Sequence, residues 1–461
     1  MSLLVKKEID QEKKQVLNPT LGAFDLTLLG IGAIIGTGIF VLTGIVAAKH
    51  AGPAIILSFI LAAIVCACVA FCYAEFASTV PVAGSVYSYT YITLGEIFAF
   101  IVGWCVMLEY LLATSAVAAG WSAYFQSLLL GFHIKIPTIL ASAPGMGKGG
   151  MIDLPAVLVI LVVTFLLSRG VKESARINNI MVLVKLIVII AFIVVGAQYV
   201  KPENWQPFLP YGYHGVVGGA ATVFFAFLGF DAVATAAEEV KRPQRNVPIG
   251  LIVSLCICTV LYIGVSFILT GIVPFTELNV ADPVAYALRV VGEDKVAGFL
   301  SVGAIAGLTT VLLVAMFAFV RVSYSMSRDG LLPKKLSSVN KRFQTPFLNT
   351  WITGIIAALL AGFVDLNLLA NLVNMGTITA FIFVSIAVIV LRKTNPKLPR
   401  PFRAPLVPVL PIFSILCCIY LALNLSSVTL ISFSVWIVIG VLVYFMYSKK
   451  HSNARKGILN K

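Results

Sequence analysis

Twelve times along this chain an apolar run appears that is long enough, or nearly so, to cross a bilayer: about 24–48, 54–80, 92–124, 154–169, 177–199, 215–239, 248–272, 296–325, 349–364, 367–391, 405–425 and 428–447. The hydrocarbon core is about 30 Å thick, and about 20 helical residues span it. Within it every backbone N–H and C=O must find an internal partner, which leaves only helices and closed barrels. Runs this long and uniformly apolar read as helices. The expected fold is therefore an all-α polytopic membrane protein with twelve transmembrane helices. With 60% hydrophobic and 11% charged residues, the composition lies outside the soluble globular range. No long polar linker divides the runs, so one membrane domain over 24–447 is expected. It is flanked by an N-terminal tail, 1–23, and a C-terminal tail, 448–461. The first residues are polar and lysine-rich and lack the apolar core of a signal peptide.

The net charge of +14 raises the question of nucleic acid, and the placement of the charges answers it. Of the 33 Lys and Arg, 26 belong to the segments on one side of the twelve runs or to the run ends that face it (Arg169 and Arg321), six to the other side, and Lys185 lies well within a run. Basic residues concentrate on the cytosolic side of membrane proteins. Both termini are therefore expected in the cytosol, and no nucleic-acid partner is needed. The most basic connection, about 328–345, is expected to face anionic lipid headgroups. Short connections favour a bacterial plasma membrane. All eight cysteines fall within runs, and the four histidines lie in loops or at run ends. Their spacing matches no zinc site. Neither a metal, a cofactor nor a hydrolytic triad is expected, which argues against an enzyme.

Two runs carry interruptions. The first contains "GIGAIIGTGIF" at 30–40, with Gly36, Thr37 and Gly38 near mid-depth; the sixth contains Gly229 and Asp231 after "VFFAFL". A glycine inside a helix costs about 1 kcal/mol against alanine. Close helix packing explains Gly32 and Gly36 in part, but not Gly38 and Thr37. Interrupted helices at corresponding positions, here five runs apart, mark an inverted-repeat transporter whose site lies at the repeat interface. The break in the first run frees amides near Thr37, Gly38 and Ile39, at the positive end of a new helix. Such an end receives a carboxylate. Carbonyls of Phe225, Ala226 and Leu228 can accept from an ammonium. An anion at one break and a cation at the other describe a zwitterion.

The residues around the breaks are also recognisable. "EEVKRPQRNVP" at 238–248, "SMSRDGLLPKKLSSVNKRFQTP" at 325–346, "YAEFASTVPVAGSVYSYTY" and "RPFRAP" at 400–405 resemble segments of the amino acid–polyamine–organocation transporter superfamily. The resemblance covers essentially the full chain. "GIGAIIGTGIF", "SRDGLLP" and Lys185 are most similar to its cationic amino acid transporter subfamily, whose bacterial members include carriers of neutral amino acids. The resemblance implies a five-plus-five inverted repeat, the LeuT-like arrangement, over about 24–199 and 215–391, with two extra helices over 405–447. It implies secondary transport of an amino acid. It also implies carboxylate binding at Gly36, Thr37 and Gly38, and ammonium binding at Phe225, Ala226 and Leu228.

Charges inside the runs need reasons, since each costs about 2.5–3.5 kcal/mol on insertion scales. Asp231 is expected to cap the second half of the sixth helix. Lys185 lies roughly 10 Å deep at 1.5 Å per residue; snorkelling is the bland alternative. The sharper one aims its ammonium at the freed carbonyls of the first run, with Glu109 as relay partner in proton coupling. Phe230, Met316 and Asn374 are expected at the side-chain end of the pocket, where no spare acid is available for a basic side chain. The expected function is proton-coupled import of a small neutral L-amino acid by alternating access. A basic amino acid, another small metabolite, a channel and a non-transporting sensor are the alternatives. No residue pattern identifies a protein partner, and a small membrane-embedded one is left open.

Overall fold

The computed structural model describes residues 5–6, 21–80, 85–144, 149–170, 175–235 and 240–455. Most of the N-terminal tail and the end of the C-terminal one lie outside that set. Helices fill each apolar run: α1 Ala23–Ile34, α2 Ile55–Thr79, α3 Ser85–Thr93, α4 Glu96–Gly131, α5 Leu154–Ser168, α6 Ala175–Gly196, α7 Gly212–Val223, α8 Ala232–Thr235, α9 Pro243–Ile272, α10 Pro283–Val290, α11 Asp294–Arg328, α12 Phe347–Phe363, α13 Leu366–Thr394, α14 Val409–Leu423 and α15 Ser427–Val443. Among the described residues, seven helical stretches are long and apolar enough to cross a membrane, and five apolar ones are shorter. Two of the short ones, Ala23–Ile34 and Gly212–Phe227, are halves of the interrupted runs. The third run differs from expectation: the helix begins at Glu96 rather than near 92, because Gly95 with φ +100° separates it from the short α3.

Burial orders the bundle. In the most apolar windows of Glu96–Gly131 and Leu366–Thr394, 67% of residues are buried, against 22% for Ser427–His451. The first two are central and the last is at the rim. Its exposed side chains, among them Val435, Val438, Ile439 and Leu442, are apolar, as contact with lipid tails requires. α11 and α13 pack along α4, α9 packs along both α2 and α1, and α12 packs on α5. Asp153 caps α5: its carboxylate accepts from the Ala156 N–H at 3.1 Å and from the Ser122 hydroxyl at 2.5 Å. Such a cap supplies one of the orphan donors of a first turn.

Glu75, an acid with no evident role in the sequence, is buried at the end of α2. Arg392 of α13 grips it in two-pronged fashion, Nε on Oε1 at 2.8 Å and Nη2 on Oε2 at 2.6 Å. The Ala404 N–H adds a bond at 2.8 Å. The carboxylate thus joins α2, α13 and the connection to α14. Arg400 adds a second, longer ion pair to the same carboxylate, Nε to Oε1 at 3.6 Å. Losing Arg392 therefore removes the hydrogen-bonded partner and should cost less than the about 3–5 kcal/mol of a fully broken buried pair. Arg392→Met is therefore expected to lower the melting temperature of the purified protein clearly, and adding Glu75→Gln to recover part of the loss. A single variant that melts like the parent would mean that the pair is not holding these elements.

Candidate functional site

Both interruptions are real departures from helix. α1 ends at Ile34, and Ile35 turns extended, with φ −73° and ψ 99°. The chain restarts as a wide π turn, Gly38–Leu42, followed by Thr43–Val46 and a second π turn, Ala47–Ala51. In the sixth run α7 tightens into the 3-10 turn Phe224–Phe227, after which Leu228 turns extended. Gly229, at φ +102°, adopts a conformation that side chains rarely accept. Helix resumes at α8.

The two breaks touch each other through reciprocal small-residue contacts. A Cβ at Gly38 would overlap both Cα and Cβ of Ala226. A Cβ at Gly229 would stand 2.8 Å from the Ala33 carbonyl oxygen. One glycine in each run therefore lets the other run's backbone approach. The freed carbonyls are shared out among side chains from neighbouring helices. The Tyr262 hydroxyl of α9 lies 3.0 Å from the Ile34 carbonyl and 2.6 Å from that of Ala226, so one group joins both breaks. Asn374 of α13 donates Nδ2 to the carbonyls of Ala221 and Thr222, at 2.9 and 3.3 Å. The Phe225 carbonyl accepts from the Leu228 N–H at 3.1 Å.

Lys185 is fully buried in α6. Its ammonium donates to the Gly32 carbonyl at 2.8 Å and the Ile35 carbonyl at 3.2 Å, at the C-terminal end of α1. A cation there meets the negative end of the helix dipole. Gly307 of α11 makes room for the stem, since a Cβ would stand 2.7 Å from Lys185 Cγ. On the other side of the breaks, Asp231 accepts from the Tyr110 hydroxyl at 3.3 Å, and its backbone carbonyl takes the Ala234 N–H at 2.9 Å. Glu109, buried in α4, faces Asp231, with the Thr377 hydroxyl beside it. The described contacts thus group Glu109 with Asp231 and Lys185 with α1.

Close to the breaks, some polar groups are left without a protein partner. The first turn after Gly36 has amides with no acceptor one turn back. The Thr37 hydroxyl is buried and has no hydrogen-bond partner; its methyl lies where a Cβ on Gly120 would be. Asn374 Oδ1 is likewise buried without a partner. Phe230 packs edge-on to Tyr73 with centroids 5.8 Å apart and tilted to Phe381 at 5.1 Å. Phe225 is buried next to Ala226. Met316 lies against α5, its sulfur 3.7 Å from the Thr164 hydroxyl. The arrangement offers amide donors and a hydroxyl on one run, and carbonyls with spare lone pairs on the other.

Three contributors escaped the sequence: Tyr262, Gly120 and Gly307. A lone tyrosine in the apolar "TVLYIGV" was a signal, since a buried phenol seeks a partner. The two glycines gave only the ordinary signal of close packing.

Comparison with known proteins follows the same lines. Residues 21–451 match the amino acid permease family. A methylthioribose transporter of Bacillus subtilis (strain 168) is 58% identical, over 99% of this chain and 100% of its own length. A branched-chain amino acid permease, BcaP, of the same organism is 54% identical, over 95% of this chain and 94% of its own. A vacuolar cationic amino acid transporter 4 of Arabidopsis thaliana is 39% identical, over 86% and 68%.

The two glycines of the first break make separable predictions. A Cβ at Gly36 would meet only the Val311 methyls, at 3.6 and 3.7 Å, which is ordinary contact. Gly36→Ala is expected to keep the parent's melting temperature closely. Gly38→Ala must push the two runs apart, and overpacking of this kind costs about 1–3 kcal/mol. Equal melting of the two variants would show that the runs do not abut as described.

Proposed function

The chain belongs to the amino acid permease family, and from that premise we propose that it is a secondary transporter importing a small neutral L-amino acid by alternating access, driven by protons. The observation that carries this reading is the pair of abutting breaks, with unpaired donors on one run and carbonyls on the other. In it the substrate carboxylate rests on the amides of Gly36, Thr37, Gly38 and Ile39. The ammonium meets carbonyls of Phe225, Ala226 and Leu228, of which Ala226 and Phe225 each already accept one bond and keep a second lone pair. The side chain points toward Phe230, with Met316 and Asn374 beyond. The membrane frame of this proposal has twelve spans, both termini in the cytosol of a bacterial cell, and a five-plus-five inverted repeat over about 24–199 and 215–391.

An apolar side-chain end suits a branched-chain substrate, as in the name of the relative that is 54% identical. Lys185 on the α1 carbonyls supports the proton-coupled part. A fixed cation at that position makes a sodium ion unnecessary. Loss of its proton would release the α1 end. Glu109, beside Asp231, is the acid proposed to relay that proton. One observation favours a second reading: the relative that is 58% identical is named a methylthioribose transporter. That thioether sugar has neither carboxylate nor ammonium and would need hydroxyl-binding groups instead.

Counterflow of labelled leucine in proteoliposomes tests transport itself, since a channel or a pure sensor gives none. Unlabelled isoleucine and valine are expected to compete, and lysine and arginine to compete poorly. An inward pH gradient should drive uptake without sodium. Lys185→Ala should lose gradient-driven uptake, and Glu109→Gln should shift its pH profile. Competition by arginine above that of isoleucine, or full pH-driven uptake by Lys185→Ala, contradicts the respective part.

A further inference from the structure

The basic end of the bundle holds a second buried carboxylate, distant in sequence from the breaks. Glu96 opens α4 and is fully buried. Its oxygens gather groups from three parts of the chain. Arg455 donates Nε to Oε1 at 2.6 Å, and its Nη2 to the Tyr444 oxygen at 2.9 Å. The Tyr444 hydroxyl in turn donates to Oε1 at 3.0 Å, and the Ser452 hydroxyl donates to Oε2. The Tyr91 hydroxyl of α3 reaches Oε2 at 3.1 Å. The Glu96 N–H donates to the Val5 carbonyl at 2.9 Å, so the N-terminal tail meets the C-terminal one here.

Residues 448–455 therefore do not behave as a solvent-borne tail. Ser452 and Arg455 are buried. The Ser448 hydroxyl donates to the Leu331 carbonyl at 2.6 Å. Asn453 donates its N–H to the Asp329 carbonyl at 3.0 Å and Nδ2 to that of Arg328 at 2.8 Å. The segment crosses from α15 over the end of α11 to the base of α4. Ion pairs this deeply buried add little net stability against an apolar replacement, but they specify one arrangement, and breaking one partner is costly.

The element that this arrangement fastens is α3. Tyr87 donates to Asp329 at 2.9 Å and Tyr91 to Glu96, so α3 is held near both ends. It lies against α8, the half-helix after the second break, and its Tyr89 ring stands 4.2 Å from that of Phe76 in α2. We propose that residues 448–455 form a clasp on Glu96 that holds α3 against α8, and that release of this clasp frees the basic end of the pathway to open. The consequence for transport rests on the function proposed above; the clasp itself does not.

Amide hydrogen exchange of the full-length protein in nanodiscs tests it without any substrate. Arg455→Ala removes a charge-assisted bond, and exchange is expected to rise roughly tenfold across α3 and residues 228–235. Helices α5 and α12, which pack on each other, should stay unchanged. Arg455→Lys should restore part of the protection. Ser452→Ala, which removes one bond to the same carboxylate, should give the same pattern at smaller size if Arg455→Ala does not fold. A rise confined to residues 448–455, or none in α3, overturns the proposal.

Discussion

A carbonyl or amide left unpaired in hydrocarbon costs several kcal/mol, and this chain breaks two helices where that cost applies. The structure meets it by lending side chains from three neighbours. Tyr262 from α9 sits between the Ile34 and Ala226 carbonyls, Lys185 from α6 takes those of Gly32 and Ile35, and Asn374 from α13 takes those of Ala221 and Thr222. The breaks are thus surrounded by helices that each hold one of their ends. Displacing any of the three changes which backbone groups are free. The Tyr262 contact has a further effect, because it ties the two runs to each other and not merely to the bundle.

The carbonyl ends are covered more fully than the amide end. The amides of Thr37, Gly38 and Ile39 and the Thr37 hydroxyl have no protein partner, and native interiors rarely leave buried polar atoms so. An anionic group settling there would gain charge-assisted bonds and the favourable end of a helix dipole. The other buried acids among the described residues are committed: Glu75 to Arg392 and Arg400, Glu96 to Arg455, and Asp153 to Ser122 and the first turn of α5. Glu109 and Asp231 form a separate pair beside the second break. Lys185 thus serves the first break, while Glu109 and Asp231 stand beside the second.

The helices were legible because membrane spans obey a length rule and an apolar rule at once. The positions of both breaks were legible too, since Gly36–Thr37–Gly38 and Gly229 stand out in apolar surroundings. The start of α4 lies a few residues later than the apolar run suggests, because Gly95 looks like any loop glycine until its positive φ is known. Tyr262 bridging the breaks was not legible: helical periodicity says which face a residue occupies, never which helix lies opposite. The same limit hid Glu96. Its partners, Ser452 and Arg455, lie in a polar stretch whose composition is that of a solvated tail, and only their docking reveals them as buried.

The central claim is that the breaks recognise both ends of a zwitterion, and equilibrium binding to the purified protein tests it most directly. Titration calorimetry with leucine, leucinamide and methylthioribose separates the possibilities, because leucinamide keeps the ammonium and side chain but lacks the anionic carboxylate. Loss of one charged hydrogen-bonded contact costs about 1.5–3 kcal/mol, so leucinamide should bind at least about tenfold more weakly than leucine, and methylthioribose not measurably. Equal binding of leucine and leucinamide, or tighter binding of methylthioribose than of leucine, would contradict the account.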